Sequence, residues 1–292
     1  MTILHIDTGR EMRGGQYQVL HLLKSPGARA TLLTPAASPL MKAAQMAGLD
    51  ARPFTLASLA ALSRQYDLIH AHDARAHTWA VTLGNAPVVV ARRVAFAVKN
   101  SPLSQWKYRR ARHYLAVSQF VRETLLDASI PADRISVVYD GVELPAVLGR
   151  GEIILAPATA DPMKGTSLLQ EAAAIGGFGV EYSESLVADL QRAAILVYIT
   201  RSEGLGSAAL LAMAAGVPVV ASRVGGLTEI VQDGVTGVLT ENTAEAIAAA
   251  VHRALGMRAE LGANARLRVE ERFTAGRMVE DTVRVYEKVL GC

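Results

Sequence analysis

Residues 195–222 read ILVYITRSEGLGSAALLAMAAGVPVVAS. An apolar run leads into an acidic glycine loop, then an alanine- and leucine-rich helical pattern, a Gly-Val-Pro turn and a second apolar run. Strand-sized runs that are apolar throughout fit a parallel sheet covered on both faces, and the helical stretch between them fits a crossover. The same alternation extends outward in both directions. Upstream, the pattern predicts strands at Thr2–Ile6, Ala30–Thr34, Asp67–Ala71, Pro87–Ala91, His113–Val117 and Ser136–Tyr139. Helical patterns lie between them, at Gly15–Leu23, Pro39–Ala47, Leu56–Arg64, Arg75–Leu83, Ser104–Arg112 and Gln119–Ala128. The alternation pauses at Gly141–Gly151, which carries Pro145, and restarts with strands at Glu152–Ala156, Phe178–Tyr182 and, beyond the quoted stretch, Thr236–Leu239. The pattern predicts an α/β protein of two doubly wound domains, 1–148 and 149–292. The tail Glu260–Leu290 reads as helical with a break at Gly276, its last helix placed to pack back on the first domain.

Composition narrows the class. Of 292 residues 51% are hydrophobic and 20% charged, enough apolar surface for a sizeable core and too much for a disordered chain. The single cysteine, Cys292, excludes a disulfide framework and a cysteine-based zinc site within the chain. No apolar run has the length of a bilayer span and no signal peptide is evident, so a cytoplasmic chain, soluble or peripheral on the inner membrane, is expected. Charge is uneven. Residues 1–148 hold 17 Lys/Arg against 10 Asp/Glu, a net of +7, and the remainder holds 13 against 17, a net of −4. Between Asp73 and Glu123 there is no acid, but there are nine bases. A field of one sign attracts anions such as phosphate groups or an acidic membrane surface. No RNA-binding motif accompanies it, and no nucleic-acid partner is expected.

In doubly wound sheets the loops at strand carboxyl ends carry the chemistry, because helix N-termini and free N–H groups point there. After the first predicted strand stand Gly14 and Gly15, where backbone can approach a ligand with no Cβ in the way. Glu203 precedes Gly204-Leu205-Gly206-Ser207 at a strand end and a helix start, a place suited to a diphosphate, with a carboxylate able to hold sugar hydroxyls. His70 and His72 share one strand face, two residues apart. Zinc would need further ligands, and no H-E-x-x-H follows. Gly204-x-Gly206-x-x-Ala209 also fits a dinucleotide pattern, but Ser222 and Arg223 stand where the next strand should end in an acid.

The stretch 195–222, with Gly225-Gly226-Leu227-Thr228-Glu229 and Asp233-Gly234-Val235-Thr236-Gly237, closely resembles the donor-binding half of GT-B glycosyltransferases of the retaining family 4. Upstream, Arg13-Gly14-Gly15-Gln16 is similar to the glycine loop of lipopolysaccharide-type members. Asp67-Leu68-Ile69-His70-Ala71-His72, Ala116-Val117-Ser118, Arg134-Ile135-Ser136-Val137-Val138 and Asp140-Gly141-Val142-Glu143 resemble the family's further elements, in order. The resemblance implies two Rossmann-like domains facing across a cleft. It implies transfer, with retention, of a sugar from a UDP- or GDP-linked donor to a lipid-linked, phosphorylated or glycan acceptor, with no metal and no other cofactor. Glu203 would hold the donor sugar. Lys164, with N–H groups of Gly14, Gly15 and Gly206, would neutralise the diphosphate. Arg93 and His72 would line the acceptor side. Thr159, Gly204, Leu205, Ser207, Leu211, Gly226 and Glu229 fall on donor-contacting positions.

Two of those positions depart from the family pattern. Leu211 stands where members carry a glutamate for the ribose, and Thr159 where they carry an arginine for the diphosphate. The stretch between Gly165 and Ala194 is also short for the family. These departures motivate a second reading, a non-catalytic scaffold or regulator of envelope polysaccharide assembly. A dinucleotide-dependent oxidoreductase is the third.

Overall fold

The computed structural model describes residues 1–25, 29–146 and 151–292. Among them the chain forms two compact units, Met1–Asp140 joined by Ala275–Cys292, and Gly141–Thr274. The boundary expected between 148 and 149 lies outside the described residues.

Unit 1 holds strands β1 (Thr2–Ile6), β2 (Arg29–Thr34), β3 (Ala51–Pro53), β4 (Leu68–Ala71), β5 (Val88–Arg92), β6 (His113–Ala116) and β7 (Ile135–Val137). They form one parallel sheet in the order β3-β2-β1-β4-β5-β6-β7. Unit 2 holds β8 (Ile153–Pro157), β9 (Glu181–Ser183), β10 (Ala193–Tyr198), β11 (Val219–Ser222) and β12 (Gly237–Thr240). These are also parallel, in the order β9-β8-β10-β11-β12. The expected α/β, doubly wound class is what each unit shows. Its cause is visible in the burial: every residue of β4, β10, β11 and β12 is buried, as strands sandwiched between helices must be.

In each sheet the winding reverses beside the first strand of the unit. β1 lies between β2 and β4, and β8 lies between β9 and β10. At such a reversal the loops leaving the two neighbouring strands run to opposite faces, and a crevice opens at their carboxyl ends. Helix starts are marked by the expected residue types. Ser38, Asp73, Ser101, Ser118 and Thr243 each accept a backbone N–H of the first helical turn.

Three local expectations are corrected. The predicted strand Phe178–Tyr182 shrinks to Glu181–Ser183, because the Phe178 N–H closes the preceding helix on the Ala173 carbonyl and is withdrawn from pairing. The edge strand Ala51–Pro53 carries no apolar run and escaped the pattern. The tail breaks at Phe273–Thr274, between helices Arg258–Arg272 and Ala275–Leu290, not at Gly276. Phe273 is buried and its carbonyl accepts the Val142 N–H at 2.9 Å, which pins the chain there, while Gly276 lies in the first turn of the last helix.

That last helix belongs to unit 1. Its buried residues Met278, Thr282, Val285 and Tyr286 fall at helical spacing on one face. Met278, Val285 and Tyr286 pack against Ile3, Leu22, Leu68 and Val89. The Tyr286 hydroxyl lies 2.6 Å from His70 Nδ1, a polar tie inside an apolar contact. Tyr286→Phe removes that tie and leaves a buried ring nitrogen unpaired, so chemical denaturation should show a loss of about 1–3 kcal/mol. Tyr286→Ala should lose more, about 3–5 kcal/mol, from the cavity it opens. A Phe variant as stable as the parent would show that the tie contributes nothing.

Candidate functional site

The predicted site residues gather in two groups, one at the winding reversal of each unit. In unit 2 the chain leaves β8 into a turn at Pro162–Lys164, where Asp161 Oδ1 accepts the Met163 N–H at 2.9 Å. Gly165 follows with φ +61°, and a Cβ there would come within 2.5 Å of Ile199 Cγ2. Only glycine lets this turn lie against the end of β10. Lys164 is thereby delivered to Glu203. Its Nζ donates to Glu203 Oε2 at 2.7 Å and to the Tyr198 hydroxyl at 3.0 Å. The Tyr198 hydroxyl donates to the same Glu203 oxygen at 2.5 Å, and Glu203 Oε1 accepts the Gly204 N–H at 3.0 Å. Burial first, and the adjacent Glu203 carboxylate second, push the Tyr198 phenol well above its ordinary range, so it stays a donor.

The loop after Glu203 is locked by its neighbour. Gly226 packs so tightly that a Cβ would fall 2.1 Å from the Gly204 carbonyl oxygen, and the Gly226 N–H donates to the Glu203 carbonyl at 3.1 Å. Gly206 takes φ +110° as it starts the helix Ser207–Ala214. The predicted Gly204, Leu205, Gly206, Ser207 and Gly226 therefore form one structure around Glu203. Leu211 sits on the following turn of that helix, and Glu229 lies in the short helix Leu227–Ile230 just past Gly226. Beside Lys164 a cavity of about 190 Å³ opens, lined among others by Thr159, Lys164, Thr166, Tyr182 and Tyr198. The buried hydroxyl oxygens of Thr166 and Tyr182 have no hydrogen-bond partner among the described residues. Buried polar atoms without partners are costly, and a ligand hydroxyl or carbonyl would satisfy them.

In unit 1 the group sits on β1, β4 and β5. Register places His5 beside His70, and His72 follows at the end of β4. Gly15, in the first turn of helix Gly14–Leu23, lies against Arg93, a Cβ there standing 3.5 Å from Arg93 Cδ. The Arg93 Nε donates to Asp140 Oδ1 at 2.9 Å, and its Nη1 lies 3.4 Å from His72 Nδ1. A guanidinium only donates, so His72 Nδ1 accepts and its proton sits on Nε2, facing His5 Nδ1 at 2.9 Å. Asp7, at the end of β1, accepts the Gly9 N–H at 2.9 Å and the Gln16 amide at 3.0 Å. Burial raises both the Asp7 and the Asp140 carboxyls; Arg93 opposes the shift at Asp140, and the Gln16 amide is the larger opposing influence at Asp7. Arg92 turns the other way, its Nη1 on the Tyr108 hydroxyl at 3.1 Å.

Tyr198, Asp140, Asp7 and His5 are site residues that sequence reasoning missed. Asp7 carried a signal, an acid at the end of the first strand just before a glycine. His5 carried none, because only strand pairing brings it to His70 and His72. Ligand atoms of these three histidines lie within 4.8 Å of one another. A dication among them would break the His5–His72 hydrogen bond and face the Arg93 guanidinium.

Residues 12–145 match the family described as Glycosyltransferase Family 4, and residues 178–257 match Glycosyl transferases group 1. A D-inositol 3-phosphate glycosyltransferase of Geodermatophilus obscurus is 44% identical over 103 residues, covering 35% of this chain and 23% of that protein. The chain thus spans less than a quarter of the length of that curated relative. The structure of Anabaena HepE with UDP and glucose matches with a TM-score of 0.85 and 17% identity, covering 99% of this chain and 100% of the other. The lipopolysaccharide outer core galactosyltransferase WaaB in its apo form matches with a TM-score of 0.76 and 13% identity, covering 99% and 100%. These likenesses show the fold of this chain to be GT-B.

The buried histidines set a pH dependence. Burial lowers His5 to about 3. Burial, with lesser help from Lys107, also lowers His77 to about 3. Both stay neutral in the folded chain while the unfolded chain takes up protons below its ordinary value of about 6.5. Stability is therefore complete above about pH 6.5 and falls as pH drops, by up to about 1.4 kcal/mol per pH unit for each histidine. Urea denaturation at pH 7.5 and 5.5 checks this; Asp7 and Asp140, whose carboxyls burial raises, act in the opposite sense, so the parent is compared with a histidine variant. His5→Gln should flatten the slope; a stability unchanged across that window would contradict the neutral assignment.

Proposed function

We propose that this chain, two glycosyltransferase-family domains in a GT-B fold, moves a sugar from a nucleotide-diphosphate donor to a lipid-linked or phosphorylated, lipopolysaccharide-like acceptor, with retention. The observation that carries the reading is the Lys164–Glu203–Tyr198 group beside a cavity with two unpartnered hydroxyls. Unit 2 is assigned the donor. In the free chain Lys164 and Glu203 satisfy each other; a bound donor divides them, the ammonium turning to the diphosphate and the carboxylate to sugar hydroxyls. The helix start at Gly206–Ser207 adds N–H donors and dipole for the same charge. The hydroxyls of Thr166 and Tyr182 stand in for contacts that Leu211 and Thr159 cannot make.

No protein nucleophile is assigned. The bond from the anomeric carbon to phosphate oxygen breaks, the bond to the acceptor oxygen forms on the same face, and the acceptor proton passes to the leaving phosphate. The protein's contribution is charge stabilisation without a metal, and this term is large when the donors are fixed in advance. Unit 1 is assigned the acceptor. Arg93, held by Asp140, offers a guanidinium to a phosphorylated group, and Asp7 and His72 offer neutral or anionic acceptors to hydroxyls. HepE binding UDP and glucose, and WaaB acting on lipopolysaccharide outer core, agree in chemical class with a UDP-linked donor and such an acceptor. A cytoplasmic, peripheral location follows for an enzyme joining a water-soluble donor to a lipid-borne acceptor.

Mass-spectrometric screening of sugar nucleotides for hydrolysis or transfer identifies the donor. Against that donor, Glu203→Ala should lower turnover about 100-fold or more. Lys164→Ala should weaken donor binding about 10-fold or more, as loss of a charged hydrogen bond does. Unchanged turnover in Glu203→Ala would remove the assignment.

A further inference from the structure

Helix Pro102–Arg110 buries none of its residues. Its inward edge is fixed to unit 1: the Tyr108 carbonyl accepts the Tyr114 hydroxyl at 2.6 Å, and Arg110 Nε donates to the Val81 carbonyl at 3.0 Å. The outward edge carries Leu103 and Trp106, three residues apart on one helix face. Leu103 is 74% exposed and Trp106 40%, with the Arg110 guanidinium 5.2 Å from the Trp106 ring centre. The loop before the helix adds Phe96, 66% exposed, whose carbonyl is held by Arg92. The same segment carries Lys99, Arg109 and Arg112, exposed and with no ion pair among the described residues. Between Asp73 and Glu123 the sequence holds no acid.

We propose that this face docks on an anionic lipid bilayer, with Phe96, Leu103 and Trp106 entering the interfacial layer and Lys99, Arg109 and Arg112 meeting the headgroups. Charge complementarity selects the occupant: a segment with nine bases and no acid between Asp73 and Glu123 draws an anionic surface. The apolar residues select a bilayer over a nucleic acid. Single-stranded nucleic acid uses aromatic rings for stacking and has no use for an exposed leucine, whereas a membrane interface takes leucine, phenylalanine and tryptophan together. The nine-residue helix is too short and too polar to insert deeply, so docking is reversible and salt-sensitive.

The test is co-sedimentation of the full chain with vesicles of phosphatidylcholine alone, or mixed with an equal part of phosphatidylglycerol. Binding should be about ten-fold stronger to the anionic vesicles and fall as salt rises. Phe96→Ser/Leu103→Ser and Lys99→Gln/Arg109→Gln/Arg112→Gln should each weaken it about ten-fold with thermal melting unchanged. Tryptophan emission should shift to the blue on binding, and Trp106→Phe should abolish the shift. Binding indifferent to phosphatidylglycerol or to both sets of substitutions overturns the proposal. So does a dimer, or a nucleic-acid complex, that the apolar substitutions dissolve while vesicles are not bound. Vesicle binding is read without donor or acceptor, so it stands or falls separately from sugar transfer.

Discussion

A parallel strand covered on both faces has little place for a polar side chain except its carboxyl end. In both units that constraint dictates where charge can stand. β10 is apolar along its buried length, and its first carboxylate, Glu203, arrives only after the strand has ended. Winding reversal between β8 and β10 leaves room at that level for the Lys164 turn. Burial drives the sheet, and the sheet's topology gathers the charges.

The two charged groups are built on different principles. In unit 2, Lys164 and Glu203 are each partly exposed and share one hydrogen-bonded oxygen with Tyr198. Such a pair is readily divided by a ligand. In unit 1, Arg93 and Asp140 are deeper, with side-chain exposures of 17% and 7%, and Arg93 also faces a chain of neutral imidazoles. Breaking a buried pair strands a charge and is strongly destabilising. Unit 1 therefore presents a stiff cationic group and unit 2 an exchangeable one. That contrast is the one the proposed function calls for, with a fixed acceptor platform in unit 1 and an exchangeable donor in unit 2.

Charge asymmetry along the sequence has a structural counterpart. Unit 1 covers its sheet with helices, but Pro102–Arg110 is held by one edge and leaves Leu103, Trp106 and Arg109 to solvent. A helix in that condition contributes little to the core. The proposed docking on an anionic bilayer accounts for its composition.

Much of the fold was legible in one dimension. Apolar runs at strand length, helical spacing between them and caps such as Ser38, Asp73 and Thr243 are local properties, and local properties survive without coordinates. Glu203 and the Gly204–Gly206 loop were legible for the same reason, as residues beside a strand end, whereas Lys164 was legible only through the resemblance to family 4. The histidine cluster was not: His5 and His72 are 67 residues apart, and only the pairing of β1 with β4 joins them. Nor were Tyr198 and Asp140, whose roles depend on Lys164 and Arg93 reaching them across the sheet. The sequence by itself determined two doubly wound sheets and the strand ends where charge collects, because hydrophobic periodicity encodes burial. Only the tertiary structure decided which charges pair, which histidines share a proton and where the last helix packs, because those depend on distances between segments remote in the chain.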